Sequence, residues 1–134
     1  MGIFDLFKKK RNDLIEDNLK WNKMWDLWVE GNIESSYAEL MMYYDEINNG
    51  GHCQYFTNIE NNGNLKKEIG LVLETLSLEL KNNLNNAYRA YLNLEKNEFV
   101  FDSEVILEQC DNIFYENEEE IEKYLKEFAS KIEL

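Results

Sequence analysis

Proline is absent from the 134 residues, so nothing in the chain imposes the fixed φ and missing N–H that break a helix from within. Histidine occurs once, at His52, and cysteine twice, at Cys53 and Cys110. A single histidine excludes multi-histidine metal sites, and two cysteines make no disulfide framework. There is no run of about 20 apolar residues to span a bilayer and no secretory apolar core. Together these absences predict a reducing, cytoplasmic setting. The one Gly-Gly pair, Gly50-Gly51, is not followed by Gly-Lys-Ser/Thr, which excludes a phosphate-binding loop of that type.

Basic residues are missing from two long stretches. Between Lys23 and Lys66 the only charges are acids, among them Asp26, Glu30, Glu34, Glu39, Asp45 and Glu46. Between Lys96 and Lys123 the same holds, with Glu98, Asp102, Glu104, Glu108, Asp111 and Glu116 leading to the run Glu118-Glu119-Glu120. The net charge is −13. The first eleven residues carry a local +3, from Lys8, Lys9, Lys10 and Arg11 against Asp5; taking that +3 away from −13 leaves −16 on the remainder. An acidic surface keeps a small protein soluble, and it also repels nucleic acid and attracts basic partners.

What is present reads as helices. Three Trp, eight Tyr and seven Phe within a 44% hydrophobic chain can fill one sizeable core, since a chain of this length buries about two thirds of its unfolded surface. Apolar residues recur at helical spacing. Leu14, Trp21, Trp25 and Trp28 mark a first helix over about 13–30, stopped by Gly31. Tyr37, Leu40, Met41, Tyr44 and Ile47 mark a second, opened by a capping box from Ser36 to Glu39 and ended by the glycine pair. A short helix is expected over 54–58, then a turn at Asn61-Asn62-Gly63-Asn64. Leu65, Ile69, Val72, Leu73 and Leu76 start another helix, continued by it or by a successor after Ser77. Phe99-Val100-Phe101 reads as an extended connection. A helix follows from Asp102 or Ser103, and the last covers about 118–132, with Glu119–Lys123, Glu122–Lys126 and Glu127–Lys131 as i,i+4 ion pairs. The expected fold is all-α, one compact domain of five to seven helices over 12–134, preceded by a basic amphipathic tail over 1–11. In that tail Ile3, Phe4, Leu6 and Phe7 precede four basic residues, a pattern suited to weak peripheral contact with a membrane or with the acidic body of another subunit.

Two features carry functional weight. Glu104, Glu108 and Asp111 fall at i, i+4 and i+7, a carboxylate row at steps of about 4.5–6 Å along one helix face. Duplex DNA presents a phosphate per strand for about every 3.4 Å of axis, with larger spacing along the backbone, so such a row can occupy the Lys and Arg side chains of a DNA-binding surface. It is also what any solvated helix shows. The second feature is the break Glu46-Ile47-Asn48-Asn49-Gly50-Gly51-His52-Cys53-Gln54-Tyr55-Phe56-Thr57-Asn58. Adjacent glycines admit backbone angles other residues avoid, and Asn and Gln amides can satisfy an irregular backbone. The break is chiefly structural on this reading, Gln54 and Asn58 holding a helix junction; a catalytic His52/Cys53 pair or a carboxylate site from Glu46 with Asp45 is the enzymatic alternative.

Glu46, Asn48, Asn49, Gly50, Gly51, Gln54, Tyr55, Phe56 and Asn58 resemble the signature of the DNA mimic protein 19-like family, small bacterial proteins of otherwise unknown function. Weaker matches run through Trp25, Trp28, Tyr37 and Glu39 upstream and Asp111, Phe114 and Tyr115 downstream, so about residues 20–130 are covered. An apolar aromatic that often precedes the Gln in the family is replaced here by His52 or Cys53. The resemblance implies an all-α, often dimeric protein that mimics DNA through an acidic surface, without catalytic residues, metal or cofactor. The expected partner is a basic DNA-binding protein, a transcriptional regulator or nucleoid protein, contacted through Glu104, Glu108, Asp111, Asp26, Glu30 and Glu34; nucleic acid itself is not bound. The alternative is an immunity-type protein that neutralises a cationic, nuclease-like toxin.

Overall fold

The structure, a computed structural model, describes residues 2–33 and 36–134, the side chain of Phe4 excepted. Glu34, one of the expected acidic contacts, lies outside the described residues. The chain is all-α: among the described residues there are six helices and no strand, α1 (Ile3–Val29), α2 (Tyr37–Asn62), α3 (Leu65–Leu73), α4 (Leu78–Glu95), α5 (Val100–Glu116) and α6 (Glu118–Ala129). They divide into two compact units, one made of Met1–Ile33 with Glu122–Leu134, the other of Glu34–Ile121.

In the first unit, α1 begins at Ile3 and runs unbroken for 27 residues, so the expected boundary at residue 11 falls inside a helix. Without proline or glycine between Ile3 and Val29, nothing stops the turn that Lys8 to Arg11 continue. Trp21, Trp25 and Trp28 stack edge to face, at 6.0 Å and 71° and at 5.4 Å and 84°, the arrangement that sets a positive ring edge against a negative face. Among the described side chains of α1, only Met24 is fully buried. Lys20 Nζ donates to Ser130 O at 3.1 Å and pairs with Glu16 at 3.5 Å. Gly31 ends the helix with φ +77, as a glycine after a helix does. The expected ion pairs Glu119–Lys123 and Glu127–Lys131 are not formed among the described residues; long exposed side chains gain too little from pairing to be held in one geometry.

The second unit is built around α2, which packs against α3, α4 and α5, while α4 lies along α5. Its core holds Tyr43, Ile47, Phe56, Leu80, Leu84 and Phe114, all fully buried, each such aliphatic or aromatic side chain contributing about 1.5–3 kcal/mol. Asn64 caps α3 by accepting from Lys67 N at 3.1 Å, and Ser77 opens α4 as a separate helix. Asn83 Nδ2 donates to Cys110 O at 2.9 Å, tying α4 to α5.

Two local expectations fail. Ser36 has helical angles (φ −64, ψ −9) and makes no side-chain cap; a capping box needs an extended Ncap residue, and Glu39 is left with Oε2 buried and without a hydrogen-bond partner. Phe99-Val100-Phe101 is not extended. Phe99 takes the left-handed conformation (φ 48) and α5 starts at the next residue, so both phenylalanines end up on the surface, Phe99 70% and Phe101 78% exposed.

Candidate functional site

The Gly-Gly break is a kink inside α2 rather than its end. Gly51 has φ 82 and ψ −177, a conformation L-residues rarely adopt. Gly50 is not at positive φ. Helix resumes at once and runs to Asn62, longer than the expected 54–58. The helical bond network fails at the kink, and side chains from outside it take over. Asp111, on α5, accepts from the His52 backbone N at 2.8 Å, satisfying a donor that the kink has freed. A Cβ on Gly51 would stand 2.4 Å from Asp111 Oδ2, so the glycine is required twice, by its angle and by its neighbour.

The same carboxylate holds the His52 ring. Asp111 Oδ1 lies 2.6 Å from Nδ1, and Nε2 lies 2.7 Å from the Tyr43 hydroxyl. An ionised carboxylate only accepts, so Nδ1 carries the hydrogen; a neutral ring then accepts at Nε2 from Tyr43. Burial, followed by the neighbouring Tyr55, Cys110 and Asp111, drives the Tyr43 pKa far up, which keeps its hydroxyl protonated and able to donate. Tyr43 and His52 are both 0% exposed. Rings of Tyr55, Phe56 and Phe114 surround them at centroid distances of 5.1–6.3 Å. With both nitrogens engaged, the ring has no lone pair left to take a proton from Cys53, whose thiol is exposed on another side of the helix.

Glu46 fastens the kink on the other side. Its Oε2 accepts from Asn58 Nδ2 at 2.8 Å and from Gln54 Nε2 at 3.1 Å, bridging the helical segments before and after Gly51. Asn48 Nδ2 donates to Tyr44 O at 2.9 Å, and Tyr115 donates to Ile47 O at 3.0 Å. Tyr55 and Phe56 are core; Asn49 is exposed, with no described contact. Thus seven of the nine signature residues, all but Asn49 and Gly50, build the junction or fill the core against it. Further along α2, Glu60 accepts a hydrogen bond from Tyr91 of α4, whose phenol is pushed up to about 12 by burial and by that carboxylate.

The structure corrects the carboxylate row. Glu104 and Glu108 are exposed and, among the described residues, in no ion pair; Asp111 is turned to His52 and serves the junction. Its neighbours one turn away, Leu107 and Phe114, are both buried, which places it at the edge of the buried face. Asp26 and Glu30 are exposed on α1 and just past it, in the unit that does not contain α5. Sequence reasoning missed Tyr43 as a polar partner and Asp111 as the clamp. No group of three or more His, Cys, Asp or Glu among the described residues is placed to hold a metal ion, and none of these helices is long and apolar enough to cross a membrane. No family model, curated protein or solved structure matches this chain.

Proposed function

We infer that this is a non-enzymatic acidic protein that acts as a DNA mimic of the kind its resemblance to the DNA mimic protein 19-like family implies, binding the basic face of a DNA-binding protein and keeping nucleic acid off it. The observation that carries the reading is the outer face of α5, where Glu104 and Glu108 stand exposed one turn apart with no cation paired to either among the described residues. Four residues of helix separate the two carboxylates by about 6 Å of axis, on the scale of successive phosphates. The surrounding stretch from Asn97 to Glu122 contains no Lys or Arg, so α5 itself adds only negative charge to this face. Such a field steers a basic partner into contact and weakens as salt screens it.

The test is retention of proteins from the native lysate on immobilised full-length chain, eluted in a salt gradient. DNA-binding proteins with basic faces should elute as salt rises, and Glu104→Lys/Glu108→Lys should abolish their retention. A cationic toxin among them would point to the immunity role. Partners without basic faces, or retention indifferent to salt and to the reversal, would overturn the reading. Asp111 has to stay untouched here, because replacing it would disturb the junction as well.

A further inference from the structure

Helix α5 carries apolar residues on two opposite sides. Ser103, Leu107, Cys110 and Phe114 turn inward and are buried. The other side presents Phe101, Val105, Glu108, Asn112 and Tyr115, at i, i+4, i+7, i+11 and i+14, all of them exposed, Phe101 by 78%, Val105 by 38% and Tyr115 by 45%. A helix that meets only water is polar on its outer face. This alternation of four and three steps is instead the seam along which one helix receives another. From Phe101 to Tyr115 it runs about 21 Å along the axis, and it lies within the single unit Glu34–Ile121. Tyr115 donates to Ile47 O at 3.0 Å, so one end of the seam is held in place by the protein's own backbone. Acids line it, Asp102 and Glu116 on one flank and Glu104 on the other, with Glu108 standing in the row itself.

We propose that this seam receives a basic amphipathic helix of a partner protein, whose apolar residues pack on Phe101, Val105 and Tyr115 and whose Lys or Arg side chains reach Asp102, Glu104, Glu108 and Glu116. The residues that flank a helical seam choose its partner by charge. A second copy of the same face would set acid against acid. A purely apolar helix would strip water from the Glu108 carboxylate and offer no counter-charge, a costly burial; a cationic helix avoids both. An extended Lys-rich arm would meet the acids but leave the two aromatic rings in water, and mimicry of phosphate by charge alone gives those rings no role. The inference rests on the proposed function in taking α5 as the face that meets a basic partner. It adds that the partner presents a helix with an apolar row, recognised by fit and apolar contact as well as by charge.

The probe is a labelled synthetic peptide of about three heptads with Leu at the seam positions and Lys at the flanking ones, which keep copies of the peptide apart. Its binding to purified full-length chain is read by fluorescence anisotropy. Wild-type chain should bind it about tenfold or more tighter than an isomer of the same composition in scrambled order, which keeps the charge and loses the apolar row. Phe101→Ser/Val105→Ser should weaken binding about tenfold or more and leave its dependence on salt as it was, since no charge is removed. Glu104→Lys/Glu108→Lys should abolish it. All four positions are exposed, and helical circular dichroism reports whether each variant folds. Wild-type chain that does not bind the peptide, equal binding of the two peptides, or an apolar variant that binds as the wild type does would each overturn the proposal. If the charge reversal still abolishes binding in the last two cases, an extended basic segment is the ligand and the proposed function stands without the helix. The proposed function fails by a different result, retention of lysate proteins that is indifferent to salt.

Discussion

At the scale of single residues, the two glycines of the break are not equivalent. A side chain at Gly51 would have to adopt a positive φ and would meet the Asp111 carboxylate, which is fixed by two hydrogen bonds to His52. A side chain at Gly50 would meet only the Gln54 amide at 1.9 Å, the far end of a flexible chain that can swing away. Gly51→Val should therefore destabilise the fold by more than about 1 kcal/mol through backbone strain, and by more again if Asp111 is displaced. Gly50→Ala should be tolerated, since alanine favours a helix over glycine by about 0.5–1 kcal/mol, against the loss of one exposed hydrogen bond from Gln54. Thermal unfolding of the two variants checks this; equal melting temperatures would contradict it. That a glycine here has to take an unusual backbone was legible from the Gly-Gly pair and its amide neighbours. That Gly51 rather than Gly50 takes it was not, because the choice depends on Asp111, 60 residues further along the chain.

Among the elements, period decided well and boundaries decided poorly. The stripes that announced α2, α3, α4 and α6 supply much of the core, Leu40, Ile47, Ile69, Leu84, Ile121 and Leu125 among it, whereas on α5 the spacing pointed to Val105 and Ile106, which are exposed, as well as to Cys110 and Phe114, which are buried. Two starts were misread, where apolar residues are exposed: the basic head that is the opening of α1, and Phe99 to Phe101, where a left-handed residue turns the chain straight into α5. Periodicity reports burial, so it is silent wherever an apolar residue faces solvent. The packing of α2 against α3 leaves another trace. Glu68 of α3 is raised above its ordinary value, first by burial and then by Glu39 of α2, with Lys67 opposing. A carboxyl raised on folding binds its proton more tightly in the native state, so its contribution to stability is full below the unfolded carboxyl pKa, near 4.5, and is lost as pH rises through the folded value. Glu68→Gln should accordingly raise the melting temperature at pH 7 and leave it nearly unchanged at pH 4. A substitution that destabilises at pH 7 would show that the Glu68 charge is compensated.

For the molecule as a whole, charge and shape have been assigned to different parts. The order of amides, glycines and aromatics from Glu46 to Asn58 goes into a closed junction with a buried Tyr43–His52–Asp111 network, and Glu104 and Glu108 on α5 are left to face solvent. The acidic balance and the row on α5 were visible in the sequence; the removal of Asp111 from that row was visible only as its two buried neighbours on the same helix face. The central claim is that α5 takes the place of DNA on a basic partner. The most direct measurement is a titration of wild-type chain into a complex of the recovered partner with labelled duplex DNA, followed by fluorescence anisotropy. Competition predicts that the DNA is released, that more chain is needed as salt rises, and that Glu104→Lys/Glu108→Lys releases none. DNA that stays bound while the chain joins it in a ternary complex, or release that the reversal leaves intact, would contradict the account.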